Sequence, residues 1–528
     1  MPSLIIHGHF YQPPRENPWT NVIEEQPSAA PFHDWNERIH FECYRPNAFV
    51  RVSDDGLDEQ LENNYASINF DFGPTLLSWL ERHHESTYAR ILAADRASAL
   101  AHTGHGNAIA QAYGHAILPL CNDRDLRTQI RWGLADFRYR FGREAESLWL
   151  PETACNDRVI SALIDEGLRY VILAPHQAAR VSSIDDGDEV STGSGSDRVA
   201  SSLAPAWRQV NETTIDTSRT YRYMDRGDPT KTIGVFFYDG RTSRAVAFEE
   251  LLASSRELIN ALAQSTGDQP MISIATDGET YGHHFKFGDL CLAHALIDEA
   301  RARGFAVTNY GEYLEQHPPQ AEVEINNGDG EGTSWSCVHG VGRWIRDCGC
   351  HTGGEPEWNQ AWRRPLRSAL DYLRDVNIPL FAATRGPLFI DAWQARDDSI
   401  ALILAPNASR EKFLFDHAGR WLSRDEQARA LNFLELQRML LLMYTSCGWF
   451  FNDISGIETI QIMKYAARAI DLMEQLCLPP VRDEFLERLR EAKSNRPEMG
   501  TGADIYQRFV EPASPRYNGT EPLAVASG

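Results

Sequence analysis

No stretch of this chain approaches the roughly twenty consecutive apolar residues that a membrane-spanning helix needs, so a membrane is not an expected partner. Positive charge is also scarce: 51 Lys and Arg against 74 Asp and Glu leave a net charge of −23. Such a surface repels phosphate, which excludes nucleic acid and anionic bilayers as main partners and suits a neutral ligand. Cysteine is thin and odd in number, nine in 528 residues. That excludes a disulfide framework and reads as reduced thiols in a cytoplasm. The amino terminus, MPSLIIHGHFYQPP, lacks a basic start, a long apolar core and a small-residue cleavage site, so no secretory leader is expected.

What the chain does carry is a pair of short apolar strands that each end in a carboxylate. Met271–Ala275 runs into Thr276, Asp277, Gly278, Glu279, Thr280, Tyr281, Gly282, His283 and His284, and Ser147–Pro151 runs into Glu152. In barrels and open α/β sheets the chemistry sits just outside the carboxyl ends of the strands. One such loop in isolation reads as a polar turn with Asp277 capping a helix; two of them predict paired acid work at one site. Thirteen Trp and eighteen Tyr supply faces on which sugar rings stack, although many belong in a core of this size.

At 528 residues the chain is too long for one ordinary core. Leu4–Ile6 reads as a first buried strand leading to His7, His9 and Gln12. Two histidines at i, i+2 share a side of a continuing strand; with no third ligand nearby, hydrogen bonding to a bound molecule is at least as good a reading as a metal. Arg15–Asn63 is a long, weakly periodic excursion of the functional kind. Strands at Ser67–Phe72, Tyr170–Leu173, Ile233–Tyr238 and Phe305–Thr308 alternate with helical stretches, which predicts a parallel α/β barrel with long loops over residues 1–320. Residues 182–202 read as a Ser/Asp/Gly-rich surface loop, 321–355 as a linker with a Cys/His-rich loop near the cleft, 356–512 as a mainly α-helical domain, and 513–528 as a disordered tail. Within the helical region only Pro379–Leu404 hints at strand. Cys337, His339, Cys348, Cys350 and His351 are zinc-type donors, but their spacing matches no standard knuckle. A tightly packed loop facing the barrel mouth is the preferred reading, and neither a metal nor a cofactor is assigned.

At these residues the chain resembles glycoside hydrolase family 57, the α-glucan amylases, 4-α-glucanotransferases and branching enzymes. His7-Gly8-His9 with Gln12-Pro13 resembles the first family motif, with Phe10 and Tyr11 intervening; Gly114-His115-Ala116-Ile117-Leu118 resembles the second. Trp149-Leu150-Pro151-Glu152 and Thr276-Asp277-Gly278-Glu279-Thr280-Tyr281-Gly282 resemble the third and fourth. The resemblance implies an incomplete (β/α)7 barrel with long loops followed by a mainly helical domain of unknown function. It implies Glu152 as nucleophile and Asp277 as acid/base, and it places Trp449 and Asp453 of the helical region at the cleft.

Together these readings predict a retaining glycoside hydrolase or transglycosylase acting on α-1,4-glucans or maltooligosaccharides, with Glu152 and Asp277 roughly 5–5.5 Å apart. His7, His9, Gln12, His115, Trp149, Glu279, His283, Trp449 and Asp453 are the expected substrate-binding residues, with barrel core an equal reading for Trp149. Trp335 and Trp344 are expected to roof the acceptor side, which leans toward transfer. The rival classes are a metal-dependent polysaccharide deacetylase-like barrel, which needs an Asp/His/His set, and a non-catalytic glucan-binding protein.

Overall fold

The computed structural model describes residues 1–54, 58–182, 207–405 and 407–515. The surface loop expected over 182–202 lies outside the described residues from 183 on, and so does the expected tail from 516 on. Among the described residues eight strands have parallel partner strands: β1 (Ser3–Phe10), β2 (Asn69–Phe72), β3 (Ala110–Gln111), β4 (Leu148–Trp149), β5 (Tyr170–Leu173), β6 (Thr232–Phe237), β7 (Met271–Asp277) and β8 (Ala306–Val307), the last lying against the start of β1 where the sequence predicts a strand at Phe305–Thr308. β1 pairs with β7 along its whole length and with β2 over its second half. Single bridges or short ladders then join β2 to β3, β3 to β4, β4 to β5 and β5 to β6. A backbone hydrogen bond from Asp239 to Ser273, 2.7 Å long, links the end of β6 to β7.

β1 is buried from Leu4 to Phe10, which accounts for its nearly unbroken apolar run. Each Ile or Leu so buried contributes about 1.5–3 kcal/mol, and strands covered on both faces are what a parallel sheet requires. β1 continues two turns of the pleat beyond the apolar run, so His7 and His9 do share one side of it. Register then decides their neighbours: His9 stands beside Asp277 on one edge and Asp71 on the other. Glycine is needed where these strand ends crowd Phe10. A Cβ on Gly278 would meet the Phe10 ring at 2.3 Å, and one on Gly8 would meet it at 2.7 Å.

From Arg363 onward the described chain is helical, with long helices at Arg363–Ala382, Arg424–Leu442 and Ile457–Gln475. The strand hint over Pro379–Leu404 is overturned: this stretch holds the end of the first of these helices and the helices Ala392–Asp398 and Ile400–Leu404. Its short apolar runs carry no period that separates a buried strand from a buried helix. The helical core also takes in Tyr113, Ile117, Trp132 and Ala154 of the preceding region. Ala116 bridges Thr445, and Arg396 pairs with Asp125, so the two regions are packed together near the strand ends. Among the described residues no helix is long and apolar enough to cross a membrane.

Candidate active site

Glu152 lies on a single turn, Pro151–Thr153, directly after β4. Its backbone is left-handed at φ 59, and Thr153 beside it and His115 are left-handed as well. Non-glycine residues rarely adopt this region, and each costs about 1–3 kcal/mol unless the surroundings hold it. Here they do. The Trp335 N–H donates to the Glu152 carbonyl at 3.0 Å, and Gln177 Nε2 donates to the Thr153 carbonyl at 2.8 Å. The strain aims the half-buried Glu152 side chain at a short hairpin whose residues grip one of its oxygens. Trp335 Nε1 donates to Oε2 at 3.0 Å and Ser336 Oγ donates to it at 2.6 Å. Among the described residues no hydrogen bond reaches Oε1.

Asp277, at the tip of β7, opens onto solvent while standing deep within the surrounding protein. Burial, then the charges of Glu152 and Asp71, push its carboxyl up to about 6 against the opposing pull of His9. Glu279, two residues on, is buried and spent on protein partners: it accepts from the Tyr44 hydroxyl at 2.6 Å and from the Tyr11 N–H at 3.1 Å. Burial and the Asp277 charge push it up to about 7, with Tyr44 and His9 acting the other way.

Three histidines and Asp71 form a chain of hydrogen bonds below these carboxylates. His7 Nε2 donates to Asp71 Oδ1 at 3.0 Å and His9 Nδ1 to Oδ2 at 2.8 Å. Burial works against a charge on His9, but Asp71, Asp277 and Glu279 outweigh it and push the ring up to about 9. Burial and the His9 charge hold His115 well below the usual histidine range. A cationic His9 and a neutral His115 fix the proton order along the chain: His9 Nε2–H donates to His115 Nε2 at 3.2 Å, and His115 Nδ1–H donates to Ser446 Oγ at 2.6 Å. The rings are also layered, with Trp149 against His7 at 4.4 Å and Tyr11 against His115 at 3.7 Å.

The expected site residues thus divide. Glu152, Asp277, His7, His9 and His115 come together, with Glu279 and Trp149 packed behind them. Trp149 is buried under the histidines, in agreement with its core reading. Gln12 accepts from Arg15 at 2.9 Å, and it is Tyr11 that stacks on His115. His283 points to Glu42, away from the histidine chain. Trp449 and Asp453 do not face the cleft. Trp449 is fully buried beside Arg367, its Nε1 donating to the Arg363 carbonyl; Asp453 accepts from Ser455, Ser494 and Asn495 and ties a turn together. Trp344 is likewise buried, donating to the Ser446 carbonyl, so of the two tryptophans expected to roof the cleft only Trp335 lies beside Glu152. Asp71, Tyr44, Ser336 and Ser446 had no assigned role in the sequence. Asp71 sits in an alternating strand, where a polar residue ordinarily marks the outer face, and only the pairing of β2 with β1 reveals its partners. Among the described residues the His/Cys/Asp/Glu groups close enough to share a metal ion are Cys337/His339/Cys348/Cys350 and Glu37/His40/His84. Neither includes Asp277, His283 or His284, so the donor set of a deacetylase-like site does not converge.

Paired carboxylates at the ends of parallel strands, backed by a hydrogen-bonded histidine chain, are the equipment of an α/β enzyme that does acid–base and nucleophilic work. The chain belongs to glycosyl hydrolase family 57, whose model matches residues 4–326, and it is a glycoside hydrolase or glucanotransferase-like enzyme. A second family model, a domain of unknown function (DUF3536), matches residues 358–519. No curated protein matches the chain significantly in sequence. Among solved structures, it is similar to an exo-type maltose-forming amylase from Pyrococcus sp. ST04, with a TM-score of 0.68 at 14% identity over 97% of this chain and 92% of that one. It is similar also to a branching enzyme from Pyrococcus horikoshii, with a TM-score of 0.51 at 15% identity over 99% and 98%. A branching enzyme from Thermococcus kodakaraensis, solved with glucose, gives 0.51 at 16% identity over 97% and 96%. At these identities the likeness is one of fold.

Proposed function

We propose that this enzyme cleaves α-1,4-glucans with retention through a glycosyl-enzyme ester on Glu152, and passes the glycosyl unit to a sugar acceptor. The observation that carries the reading is the grip on Glu152: its Oε2 is held by Trp335 and Ser336 while Oε1 is left to attack. Oε1 bonds to the anomeric carbon as the glycosidic C–O bond breaks, and the Asp277 proton goes to the departing oxygen. Asp277, now ionised, takes the proton of the incoming hydroxyl as the ester is displaced. A carboxyl raised to about 6 is suited to both tasks. The cationic His9 stands beside Asp277 in register, and its charge favours the ionised form that Asp277 takes once its proton has gone to the leaving oxygen.

The parallel order β1 to β7, with β6 tied to β7 by one hydrogen bond, supports an incomplete (β/α)7 barrel. A catalytic region over 1–320, a linking segment over 321–355 and a helical region over 356–512 is the division that the pairing and packing favour. The loop after β1 contributes Tyr11 and Tyr44 to the site and is pinned to the helical region by Trp19 Nε1, which donates to Asp471 at 2.9 Å. Tyr11 of this loop and Trp335 of the hairpin, both only partly buried, offer faces on which an acceptor sugar would stack and displace water, which favours transfer. Nine unpaired cysteines fit a reducing cytoplasm.

Incubation with maltoheptaose, with products resolved by length and linkage, tests the reading. Products both longer and shorter than the input are expected, and Glu152→Gln is expected to remove them, lowering the rate by about 10³-fold or more. Short products alone, with reducing ends rising in step, contradict transfer; undiminished turnover by Glu152→Gln contradicts the nucleophile.

A further inference from the structure

The irregular loop that follows the Glu152 hairpin carries a second cluster that the glycoside chemistry does not use. Cys337, His339, Cys348 and Cys350 each contribute one donor atom to a group in which all four atoms lie within 4.8 Å of one another. The separations are informative. Cys337 Sγ is 3.8 Å from Cys348 Sγ and 3.6 Å from Cys350 Sγ, and Cys350 Sγ is 3.5 Å from His339 Nδ1. Three sulfurs at roughly 2.3 Å and one nitrogen at roughly 2.0 Å from a single centre, at tetrahedral angles, stand about 3.8 Å apart for sulfur pairs and about 3.5 Å apart for sulfur and nitrogen. The three separations above match edges of that tetrahedron, and the other three pairs lie within 4.8 Å. Four donor atoms all within 4.8 Å of one another also leave no room for a multi-iron cluster, whose ligands are spread around several metal atoms.

Charge gives an independent reason. Arg363 and Arg343 are buried beside the cluster, and among the described residues neither forms an ion pair with a carboxylate; the Nε atoms of both, and Nη1 of Arg343, have no hydrogen-bond partner. Unpaired buried cations are costly. A divalent ion bound by three thiolates and a neutral imidazole carries a net single negative charge, and Arg363 already reaches toward it: Nη1 is 4.0 Å from Cys348 Sγ and 3.1 Å from the Cys350 carbonyl. No knuckle spacing announces the site because its ligands arrive as two i, i+2 pairs from irregular backbone.

We propose that Cys337, His339, Cys348 and Cys350 form a closed, structural zinc site. All four positions are protein ligands, which leaves none for substrate. The site fastens the hairpin bearing Trp335 and Ser336, since Ser336 adjoins Cys337, to the helical region, where Arg363 donates to the Phe450 and Phe451 carbonyls. This consequence for the site rests on the reading of Glu152; the binding of zinc does not.

Elemental analysis of the full-length chain, purified reduced and without chelator, is expected to find about one zinc per chain. The cobalt-substituted protein is expected to show thiolate-to-metal charge transfer in the near ultraviolet and the strong red absorption of a tetrahedral site. His339 is exposed, so His339→Ala should fold and should hold zinc at least about tenfold more weakly. A folded chain that stays free of zinc when supplied with it, that holds iron instead, or in which Cys337 is joined to Cys348 or Cys350 as a disulfide, overturns the proposal. None of these readouts depends on turnover, so they stand apart from the assignment of Glu152.

Discussion

His9 is the residue on which the electrostatics of the site turn. Asp71 below it and Asp277 beside it keep the ring protonated, and the resulting cation opposes the burial that raises Asp277. Because Asp277 is raised, its acid form is fully present below about pH 6 and is lost as pH rises through that value. In the wild type kcat/KM should therefore fall on the alkaline side of about pH 6. Replacing His9 with asparagine removes the cation that holds Asp277 down, so Asp277 rises further. The expected result for His9→Asn is a lower kcat/KM whose alkaline limb has moved to higher pH, measured as a pH profile on a maltooligosaccharide. A limb that stays in place, or moves to lower pH, would show that His9 is neutral or that another group is the acid.

Among the elements, the helix Asp123–Phe141 positions the second motif most directly, because it packs at touching distance on β3. A Cβ on Gly133 would stand 2.0 Å from the Gln111 carbonyl oxygen, and backbone cannot swing aside as a side chain can. Alanine in place of glycine raises helix propensity by about 1 kcal/mol, but overpacking costs typically about 1–3 kcal/mol. Gly133→Ala should therefore lower the melting temperature despite the better helix former, as calorimetry would measure; an unchanged or higher value would mean that the helix can shift without cost. The elements themselves were legible where burial wrote them plainly. Apolar runs revealed β1, β5, β6 and β7 to within a few residues, and the two strand-end carboxylates stood out as breaks in such runs. What was not legible depends on pairing across the chain. Asp71 acquires its meaning from register with β1, and Ser446 from the docking of a helical segment onto His115. Trp449 and Asp453 show the converse: only the family resemblance placed them at the cleft, and here one fills a core and the other ties a turn together.

At the scale of the whole molecule, the helical region is packed against the histidine chain. Ser446 ends the histidine chain, Thr445 pairs with Ala116, and Tyr113, Ile117 and Trp132 are covered by helical residues. A chain ending near residue 320 would expose this apolar face, leave His115 Nδ1 unpartnered and lack the Trp335 hairpin. It is expected to aggregate or to be inactive on polymeric glucan, and full activity from it would contradict this dependence. The account as a whole rests on a covalent bond between Glu152 and the sugar. The most direct measurement is intact-mass and peptide analysis after reaction with an α-configured 5-fluoroglycosyl fluoride, which slows release of the intermediate. The account predicts a single glycosyl ester on Glu152, released faster when maltose is supplied than in water alone. An ester on another residue, or turnover with inversion and no ester at all, would contradict it.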